Sequence, residues 1–574
     1  HELSIHPRFR MVDSCAAEFA AVTPYYYATY EGGSAPIGID YTPGVDDSTK
    51  KRIVVIGSGP IRIGQGIEFD YGCVHAVGAI QDLGHEAIII NNNPETVSTD
   101  FDTSDRLYFD PLTLEHSSEV LLREKAHGIL LQFGGQTAIN LALPLSNRLP
   151  HLRDLGLNLV IEGTSPDAVD EASDRERFEK FANRVGLRMP NGSTASTPDE
   201  VRESVQEIGY PVLIRPSYVL GGRGMEILSN NRQLEAYMQE AFLSPDRPLL
   251  VDEYLGNAIE LDVDAVCDGE QVLIGAVMEH LEEAGIHSGD STCFIPPQNV
   301  SRKIISQVEE WTEKIGIELG IKGCFNIQYA IRGEILYVLE VNPRGSRTFP
   351  FVAKATGVPL ARIAACLSLG VRLQDLTIPK PQNEAVCVKA PVFPFIKLRG
   401  LDPAPGPEMK STGEVMGSHA RPAAAYLKAR LATELPVPTE GGVYITVKNA
   451  DKHDVIPLAQ ELEEMGFSIY ATRGTAHVLR DSGGVEVRTC YRIAEELTPD
   501  ALDLMRQGKI HLIINTPRNS GGAVLDGNMM RRLAVELNIP FVTTMAGARM
   551  EVQAIAEAKI GIPEPRLLNI ATLI

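Results

Sequence analysis

The sequence lacks most features that mark membrane, secreted or nucleic-acid-binding proteins. No apolar stretch reaches the roughly 18 residues that a membrane-spanning helix needs, and no basic-then-apolar leader opens the chain. The eight cysteines are scattered without a C-x-x-C pair, which argues against a zinc site or a disulfide framework and is typical of a reducing compartment. We therefore expect a cytoplasmic protein.

Basic residues are fewer than acidic residues. Lysine and arginine total 53 against 75 aspartates and glutamates, which gives a formal net charge of −22 at pH 7. Such a field repels phosphate backbones and anionic membrane surfaces, so nucleic acid and membranes are not expected partners. The length of 574 residues exceeds what one hydrophobic core supports, and three or four domains are expected.

The distribution of apolar stretches predicts an α/β multidomain protein. Residues 1–50 are typical of the end of a helical region followed by a linker rich in Gly and Pro. Residues 51–165, which begin with the apolar run RIVVI, alternate strands and helices as a Rossmann-like domain does. Residues 166–435 predict an α+β domain with a C-terminal extension, and 436–574 a small doubly wound α/β domain. Because the first residue is His1, we expect a fragment or a split-gene product.

A predicted hairpin carries the first candidate site. The runs CFNIQYAI and ILYVLEVNPRGSR are separated by residues 332–334, with glycine at the centre. If residues 331 and 335 pair, Gln328 shares a sheet face with residue 338 and, by the period of two, with Glu340 and Asn342. These oxygens suit Mg²⁺. An ordinary strand end with surface amides remains the alternative.

Basic and glycine-rich residues near this hairpin suit a phosphate. Arg344 and Arg347 follow the second strand and would meet phosphoryl charge. Arg215 follows the strand PVLI, and the Gly-Gly-Arg-Gly turn at residues 221–224 would offer backbone N–H groups to phosphate oxygens. A glycine-rich turn alone is weak evidence, but its place ahead of the hairpin strengthens the prediction.

Long strings in this order resemble the ATP-grasp superfamily and, more narrowly, the carbamoyl phosphate synthetase large-subunit family, in its C-terminal half. The strings are GSGPIRIGQGIEFDY, NNPETVSTD, TSDRLYF, GTSPDAVDEASDRERF, IGYPVLIRPSYVLGGRGMEI, GIHSGDS and LEVNPRGSRT. The resemblance implies an ATP-grasp ligase that phosphorylates carbamate with ATP, for pyrimidine and arginine synthesis. The helical region before residue 50 would then end an oligomerisation region.

The resemblance also assigns roles to residues around the ATP. Catalysis would rest on Arg215, Arg344 and Arg347, and the metal, Mg²⁺ or Mn²⁺, on Gln328, Glu340 and Asn342. The ATP-binding set would comprise Arg175, Arg215, Glu253, Leu255, Glu260, Gly285, Ile286, His287, Ser288, Gln328 and Glu340. Phosphoryl transfer needs positioning and charge neutralisation, so a binding role for His287 is favoured over proton transfer.

Partners and further cofactors follow from the same resemblance. The partners would be the N-terminal bicarbonate-phosphorylating half, a glutaminase small subunit and a nucleotide monophosphate effector, in an oligomer, with K⁺ as a further cation. In the preceding domain, Asn92, Asn93, Glu95, Thr96 and the LQFGGQT turn would face the carbamate site. The glycines of GSGPIRIGQG depart from the dinucleotide spacing G-x-G-x-x-G, so dinucleotide binding is disfavoured.

Polar residues near predicted strand ends of the last domain suit a phosphate monoester, although surface residues at strand ends are equally compatible. The resemblance to a methylglyoxal-synthase-like allosteric domain implies an effector set of Thr446, Lys452, Thr472, Thr475, Arg492 and Asn515. Two residues depart from the bacterial pattern. Pro517 replaces a threonine of the nucleotide site, and Ala390 replaces a glutamate that binds ornithine, so weak or absent ornithine activation is predicted.

Two other functions compete with this interpretation. A regulatory module could bind nucleotide without catalysis, but it would be expected to have lost metal or phosphate residues, and Arg215, Gln328, Glu340 and Arg344 are present. Another ATP-grasp ligase, such as a carboxylase or an amino-acid ligase, would lack the trailing regulatory domain.

Overall fold

The computed structural model describes residues 7–12, 18, 23–30, 50–61, 66–216, 224–241, 248–256, 258–381, 385–398, 401–516 and 522–561. Four sheets are present in this part of the chain, and their strands follow one another sheet by sheet. The predicted fold class, an α/β protein of several domains, is confirmed. Positions 64, 221–223 and 517, which the sequence singled out, lie outside the described residues.

The first sheet belongs to the Rossmann-like region. Its strands are β1 (Arg8–Met11), β2 (Tyr25–Thr29), β3 (Arg52–Ile56), β4 (Glu86–Ile90), β5 (Arg106–Tyr108), β6 (Gly128–Leu130) and β7 (Val160–Glu162). Their order is β1-β2-β5-β4-β3-β6-β7, parallel except for β1. The helices are α1 (Glu68–Asp82), α2 (Leu114–Glu124), α3 (Gly135–Ile139), α4 (Ala142–Asp154) and α5 (Pro166–Ser173). The inner strands are apolar and buried on both faces, as parallel strands covered by helices require.

The helical prediction for the start of the chain is wrong in its described part. Residues 8–11 and 25–29 are the antiparallel strands β1 and β2, and β2 extends the sheet beside β5. Phe9 packs edge-on against Tyr108 with ring centroids 5.3 Å apart, and Tyr26 lies 5.4 Å from the same ring. Aromatic residues favour strands because they pack on a pleated surface, and here the tertiary contact decides the structure.

Two antiparallel sheets form the middle of the chain. The smaller has the order β10-β9-β11-β8 and consists of β8 (Gly192–Ala195), β9 (Val212–Pro216), β10 (Glu226–Leu228) and β11 (Leu249–Glu253), packed against helices α7 (Pro198–Ile208) and α8 (Asn231–Ala241). Helix α6 (Arg175–Val185) packs against the larger sheet. The larger consists of β12 (Ile259–Asp268), β13 (Val272–Glu283), β14 (Cys293–Ile295), β15 (Lys322–Arg332), β16 (Ile335–Asn342), β17 (Val386–Val392) and β18 (Gly413–His419). Its order is β16-β15-β12-β13-β14-β17-β18.

Helices join the larger sheet to its neighbours. They are α9 (Arg302–Glu318), α10 (Phe349–Thr356), α11 (Leu360–Ser368) and α12 (Pro422–Ala432). Helix α11 packs against α1, so one hydrophobic core runs from the first sheet into the larger middle sheet. No single helix in the described ranges is long and apolar enough to cross a membrane, and the one pair that passes on length and composition, α10 and α11, is bent by 114°.

The last sheet is parallel and doubly wound. Its strands are β19 (Gly442–Thr446), β20 (Ser468–Thr472), β21 (Val487–Cys490), β22 (Leu512–Asn515) and β23 (Phe541–Val542), in the order β21-β20-β19-β22-β23. The helices are α13 (Ile456–Glu464), α14 (Arg473–Asp481), α15 (Ala501–Arg506), α16 (Gly522–Glu536) and α17 (Met545–Ile560). The carboxyl ends of β19, β20 and β22 meet at one edge, where such folds bind ligands.

Candidate active site

The hairpin of β15 and β16 places the candidate metal ligands, but with a register that differs from the predicted one. Arg332 pairs with Ile335 across a two-residue turn, so the predicted pairing of residues 331 and 335 is wrong. Gly333 has a φ of 63°, which the first turn residue of a type II′ hairpin requires and only glycine adopts easily. A regular ladder from this turn would set Gln328 opposite residue 339 and turn Glu340 to the other face.

A β-bulge restores the shared face. The register shifts between Gln328 and Tyr329, so that Gln328 pairs with Glu340, and Asn326 pairs with Asn342. The extra residue of a bulge moves all later side chains of one strand to the opposite face. Gln328, Glu340 and Asn342 therefore face the same cavity, as predicted, although the predicted ladder would not have placed them there.

This cavity, the central cleft, lies between the two middle sheets and has a volume of about 250 Å³. All predicted ATP and metal residues line it, and so does the predicted catalytic residue Arg344, whereas Arg347 does not. The lining set is Arg175, Arg215, Glu253, Leu255, Glu260, Gly285, Ile286, His287, Ser288, Gln328, Glu340, Asn342 and Arg344. The tertiary structure thus gathers residues that are spread over 170 positions of sequence.

The oxygen set at the hairpin is chemically suited to a hard divalent cation. Glu340 Oε1 accepts a hydrogen bond from Asn342 at 2.9 Å, and Gln328 donates to the Ser288 hydroxyl at 3.2 Å. No group of three or more His, Cys, Asp or Glu side chains in the described residues could hold a metal, either here or in another region, so a metal at this hairpin would need the amide oxygens. One carboxylate with two amides fits Mg²⁺, which keeps several waters and phosphate oxygens in its shell.

Two arginines flank one carboxylate beside this set. Arg175 Nη2 lies 2.9 Å from Asp252 Oδ1, and Arg215 Nε lies 3.7 Å from Asp252 Oδ2. Arg215 also reaches Glu340, with Nη1 3.6 Å from Oε2. Nε of Arg175 and Nε of Arg215 are buried without a hydrogen-bond partner in the described structure. Buried donors of this kind can donate hydrogen bonds to an anionic ligand.

Arg344 and Arg347 lie where the first sheet meets the hairpin. Arg344 donates to Gln136 Oε1 at 3.0 Å and to Asn342 Oδ1 at 3.2 Å, and its guanidinium lies 5.9 Å from the Phe69 ring. Arg347 is 7% exposed and pairs with Glu68 at 2.9 Å. Both arginines line a second space of about 100 Å³, the side cavity, which shares Gln328, Glu340 and Asn342 with the central cleft.

The other end of the central cleft is more apolar and contains a buried carboxyl group. Leu213, Met225, Ala330 and Leu339 line it together with the predicted Leu255 and Ile286. Burial raises the pKa of Glu260 to about 7, and its Oε2 has no hydrogen-bond partner among the described residues. A flat apolar ring with adjacent hydroxyl groups would match both features.

Residues 285–290, the lid, form one edge of the cleft. Nδ1 of His287 accepts a hydrogen bond from the Gly289 N–H at 3.0 Å. Burial, with Arg347 nearby, lowers the pKa of His287 to about 3. The ring is therefore neutral near pH 7, which suits a hydrogen-bonding residue and opposes a general base, in line with the predicted binding role.

The predicted effector residues also come together. Thr446, Lys452, Thr472, Thr475, Arg492 and Asn515 all line a space of about 80 Å³, the C-terminal cavity, at the carboxyl edge of the last sheet. Thr472 and Thr475 lie at the amino end of α14, and a Cβ added to Gly474 would lie 3.1 Å from Lys452 Nζ. A helix amino end beside an ammonium group attracts anions.

Family models match most of the chain. They describe a carbamoyl phosphate synthase preATP-grasp domain at residues 49–171, a carbamoyl-phosphate synthase L chain ATP binding domain at 174–376, and an MGS-like domain at 454–543. The C-terminal section of the carbamoyl phosphate synthase large chain of Methanocaldococcus jannaschii is 49% identical over 578 residues, 98% of this chain and 91% of that protein. The chain belongs to the carbamoyl phosphate synthase large-chain family.

Undivided members of the family are longer. The large chain of Methanothermobacter thermautotrophicus is 48% identical over 98% of this chain but only 51% of its own length, so this chain spans about half of such relatives. Among solved structures, an ADP complex of N5-carboxyaminoimidazole ribonucleotide synthetase matches with a TM-score of 0.51 and 12% identity, over 67% of this chain and 96% of the other. That likeness concerns the fold alone.

The predicted first-domain wall of the carbamate site gains only partial support from the two cavities. Asn92, Asn93, Glu95 and Thr96 line neither the central cleft nor the side cavity. Phe69 and Gln136 line the side cavity instead, and Gln136 comes from the predicted LQFGGQT turn. In the same turn, Gln132 Nε2 donates to the carbonyl oxygen of Pro343 at 3.0 Å, so the turn docks directly beside Arg344.

The structure adds residues that sequence reasoning did not name. Asp252 holds Arg175 and Arg215, and Gly192 leaves room for this pair, since an added Cβ would lie 2.1 Å from Asp252 Oδ1. Asp252 directly precedes the predicted Glu253 at the end of β11, so its place in the sequence could have indicated that it lies near the site. Glu68 gave no such signal, because its partner Arg347 lies 279 residues away.

The glycine turn after β3 is filled by the protein itself. A Cβ added to Gly57 would lie 2.5 Å from the Asn91 side chain, and Gly59 N–H donates to Asn91 Oδ1 at 3.0 Å. The lack of a side chain at Gly57 therefore leaves room for Asn91, which follows β4. The disfavoured dinucleotide reading gains no support from this packing.

Proposed function

We propose that this chain transfers the terminal phosphoryl group of ATP to carbamate, giving carbamoyl phosphate and ADP, as the C-terminal synthetase half of carbamoyl phosphate synthase. The observation that supports it best is the meeting of Gln328, Glu340 and Asn342 with Arg215 and Arg344 around one cleft. Family membership is consistent with this reaction. In the cell the product would feed pyrimidine and arginine synthesis.

Charge neutralisation and positioning would account for the rate. Arg175 and Arg215 bind the phosphates, held in place by Asp252. Arg344, fixed by Gln136 and Asn342, stabilises charge on the group in transfer. Mg²⁺ or Mn²⁺, held by Gln328, Glu340 and Asn342, would supply further positive charge to the phosphate oxygens.

Carbamate would bind in the side cavity. Arg344 and Arg347 line this space and provide positive charge, while Phe69 covers one wall. Carbamate is short-lived in water, so a small space that Phe69 and Gln136 of the first domain border would limit its contact with water. The apolar end of the central cleft would take the adenine ring, with the Glu253–Leu255 backbone at its edge and Glu260 at the ribose.

The reverse half-reaction tests this function on the isolated chain. With Mg²⁺, ADP and carbamoyl phosphate should give ATP and carbamate, measured by coupled ATP detection. Acetyl phosphate in place of carbamoyl phosphate should give little ATP. Equal rates with the two donors would reject carbamate as the substrate, and absence of ATP in both would reject the activity of the chain by itself.

Glu260 predicts a pH dependence of nucleotide affinity. Its pKa of about 7 lies above the usual carboxyl value because of burial, so the group is mostly protonated below pH 7. Ribose hydroxyls donate to a carboxylate better than to a carboxylic acid, so ADP affinity should rise about tenfold from pH 6 to pH 8 as the proton is released. Calorimetric titration at each pH checks this. In Glu260→Gln, ADP affinity should change with pH only through the titration of the nucleotide and its metal. A pH dependence equal to that of the unaltered chain would contradict the assignment.

Gly285 predicts a steric limit at the lid. It has a φ of 94°, and an added Cβ would lie 2.8 Å from Tyr254 Cε2. Gly285→Ala should therefore displace the lid and weaken ADP binding about tenfold, since strain of 1–2 kcal/mol corresponds to about that factor. The matched control is Gly320→Ala, where φ is 62° but no atom lies within 4 Å. Equal loss in both variants would show a general effect of the substitution and contradict a steric limit at the lid.

The C-terminal cavity is proposed to bind a nucleoside monophosphate effector, through Lys452, Thr472 and Thr475 at the phosphate. Lys452→Met should lower the affinity for UMP or IMP at least about tenfold by calorimetry, as expected for a lost charged contact. The control is Lys509→Met, an exposed lysine three residues before β22 and so at the opposite edge of the sheet. Similar losses in both variants would reject this site.

Further partners are part of the same proposal. Carbamate would come from an N-terminal bicarbonate-phosphorylating half, and ammonia from a glutaminase small subunit, in an oligomer. K⁺ would be a further cation. Ala390 lines an apolar space of about 490 Å³ between β17 and the last domain, and the predicted weakness of ornithine activation stays a prediction, to be checked by calorimetry.

A further inference from the structure

Residues 401–411, the connecting segment between β17 and β18, lie against the lid. The Asp290 carboxylate accepts hydrogen bonds from the backbone N–H groups of Lys410 and Ser411, both at 2.8 Å. The His287 N–H donates to the Gly406 carbonyl at 2.9 Å. Asp290 is 1% exposed, so water cannot replace these bonds without opening the structure, and the lid and the connecting segment must move together.

The first residues of the same segment are tied to the last domain. The Asp402 carboxylate accepts from Arg531 Nε at 2.9 Å and from Nη2 at 2.6 Å, a two-point contact with α16. Lys410 Nζ donates to the Asp402 carbonyl at 3.1 Å, which ties the two ends of the segment to each other. Arg531 is 2% exposed, so its guanidinium depends on this partner.

Arg531 also reaches the wall of the C-terminal cavity. Its Nη1 donates to Asn515 Oδ1 at 2.6 Å, and Asn515 lines that cavity. A Cβ added to Gly527, another lining residue, would lie 2.8 Å from Nη1. A ligand that binds the Asn515 amide can compete with Arg531 for the Asn515 oxygen. It can also hold the Asn515 side chain in place and so strengthen the bond between Asn515 and Arg531. Either change acts directly on the contact with Asp402.

We propose that the Asp402–Arg531 pair is a relay that makes nucleotide affinity at the lid depend on occupancy of the C-terminal cavity. The path is continuous: Asn515, Arg531, Asp402, the connecting segment and then the lid. The proposal rests on the proposed function for its two ligands and adds the route between them. Coupling of this kind typically changes affinity 5- to 150-fold, and it acts equally in both directions.

The test is a calorimetric titration of MgADP into the whole chain, with and without saturating UMP or IMP. In the unaltered chain one of these should change the dissociation constant of ADP at least about fivefold. In Asp402→Asn both ligands should still bind, but the change should fall below about twofold. Arg531→Lys, which keeps the charge and loses the planar two-point contact, should behave the same way.

The matched control is Arg421→Gln. Arg421 pairs with Glu557 at 2.7 Å and so also joins the region after β18 to the last domain, but neither residue lines the central cleft or the C-terminal cavity. Its coupling should equal that of the unaltered chain. Full coupling in Asp402→Asn and Arg531→Lys, or ADP and monophosphate that bind independently in the unaltered chain, would overturn the relay. A chain that binds no ADP would instead contradict the proposed function. If Asp402→Asn does not fold, Arg531→Lys decides by the same criterion.

Discussion

Replacing Arg344 with methionine should lower the rate of ATP formation from carbamoyl phosphate and ADP about 1,000-fold or more. Its guanidinium is fixed by Gln136 and Asn342 at 3.0 and 3.2 Å and lies at the boundary of the central cleft and the side cavity. An arginine that meets the charge of a phosphoryl group in transfer contributes about 10³ to 10⁵ in rate. Initial rates at saturating ADP, donor and Mg²⁺ measure the loss.

The loss in Arg344→Met should affect the maximal rate much more than the affinity for ADP. Because Arg344 lies beyond the predicted adenine and ribose end of the cleft, ADP affinity should change by less than about threefold while the maximal rate falls. Arg202→Met is the control, since Arg202 forms an exposed ion pair with Glu235 and such pairs contribute about 0–1 kcal/mol. A loss confined to ADP affinity, with a normal maximal rate, would refute the catalytic role.

Glu340→Gln should raise the concentration of Mg²⁺ needed for half-maximal rate at least about 100-fold. The substitution keeps the shape of the side chain and removes the one carboxylate of the proposed metal set. Hard divalent cations depend on such charged oxygens, and even residues behind the ligands cost about 10- to 100-fold in affinity when changed. Titrations of the rate with Mg²⁺ and Mn²⁺ provide the measurement.

The control for this variant lies on the same hairpin. Glu334→Gln removes an exposed carboxylate at the turn and should leave the metal requirement unchanged. Glu340 also lies 3.6 Å from Arg215, so its loss frees this arginine. If Glu340→Gln weakens ADP binding without Mg²⁺ as strongly as with it, the carboxylate acts through Arg215 and the metal assignment fails.

How far the site could be predicted is clearest at the β15–β16 hairpin. Residue types and spacing indicated that Gln328, Glu340 and Asn342 share a face, and they do. The ladder that supported this prediction was off by one residue, and a bulge compensated for the error. Bulges depend on contacts of the whole sheet, so a local pattern does not reveal them.

The helical prediction for the opening residues was wrong for a related reason. The opening stretch HELSIHPRFRMVDSCAAEF was predicted to be helical, yet Arg8–Met11 pairs with Tyr25–Thr29, which joins the first sheet beside β5. Tyr108 packs against Tyr26 and Phe9 and holds both strands. Propensity is a weak preference that tertiary contacts override. Strands with buried faces, such as Arg52–Ile56, were predicted well because burial on both sides leaves a continuous apolar run.

The sequence by itself determined the fold class and the chemical types present in the site, because strand and helix periods and the identities of oxygen and guanidinium groups are local properties. Only the tertiary structure decided which of these groups meet. Arg347 contacts Glu68 across 279 residues, and Arg531 contacts Asp402 across 129. Such pairs arise when separate sheets dock, and docking geometry depends on the packing of the whole chain rather than on any segment of it.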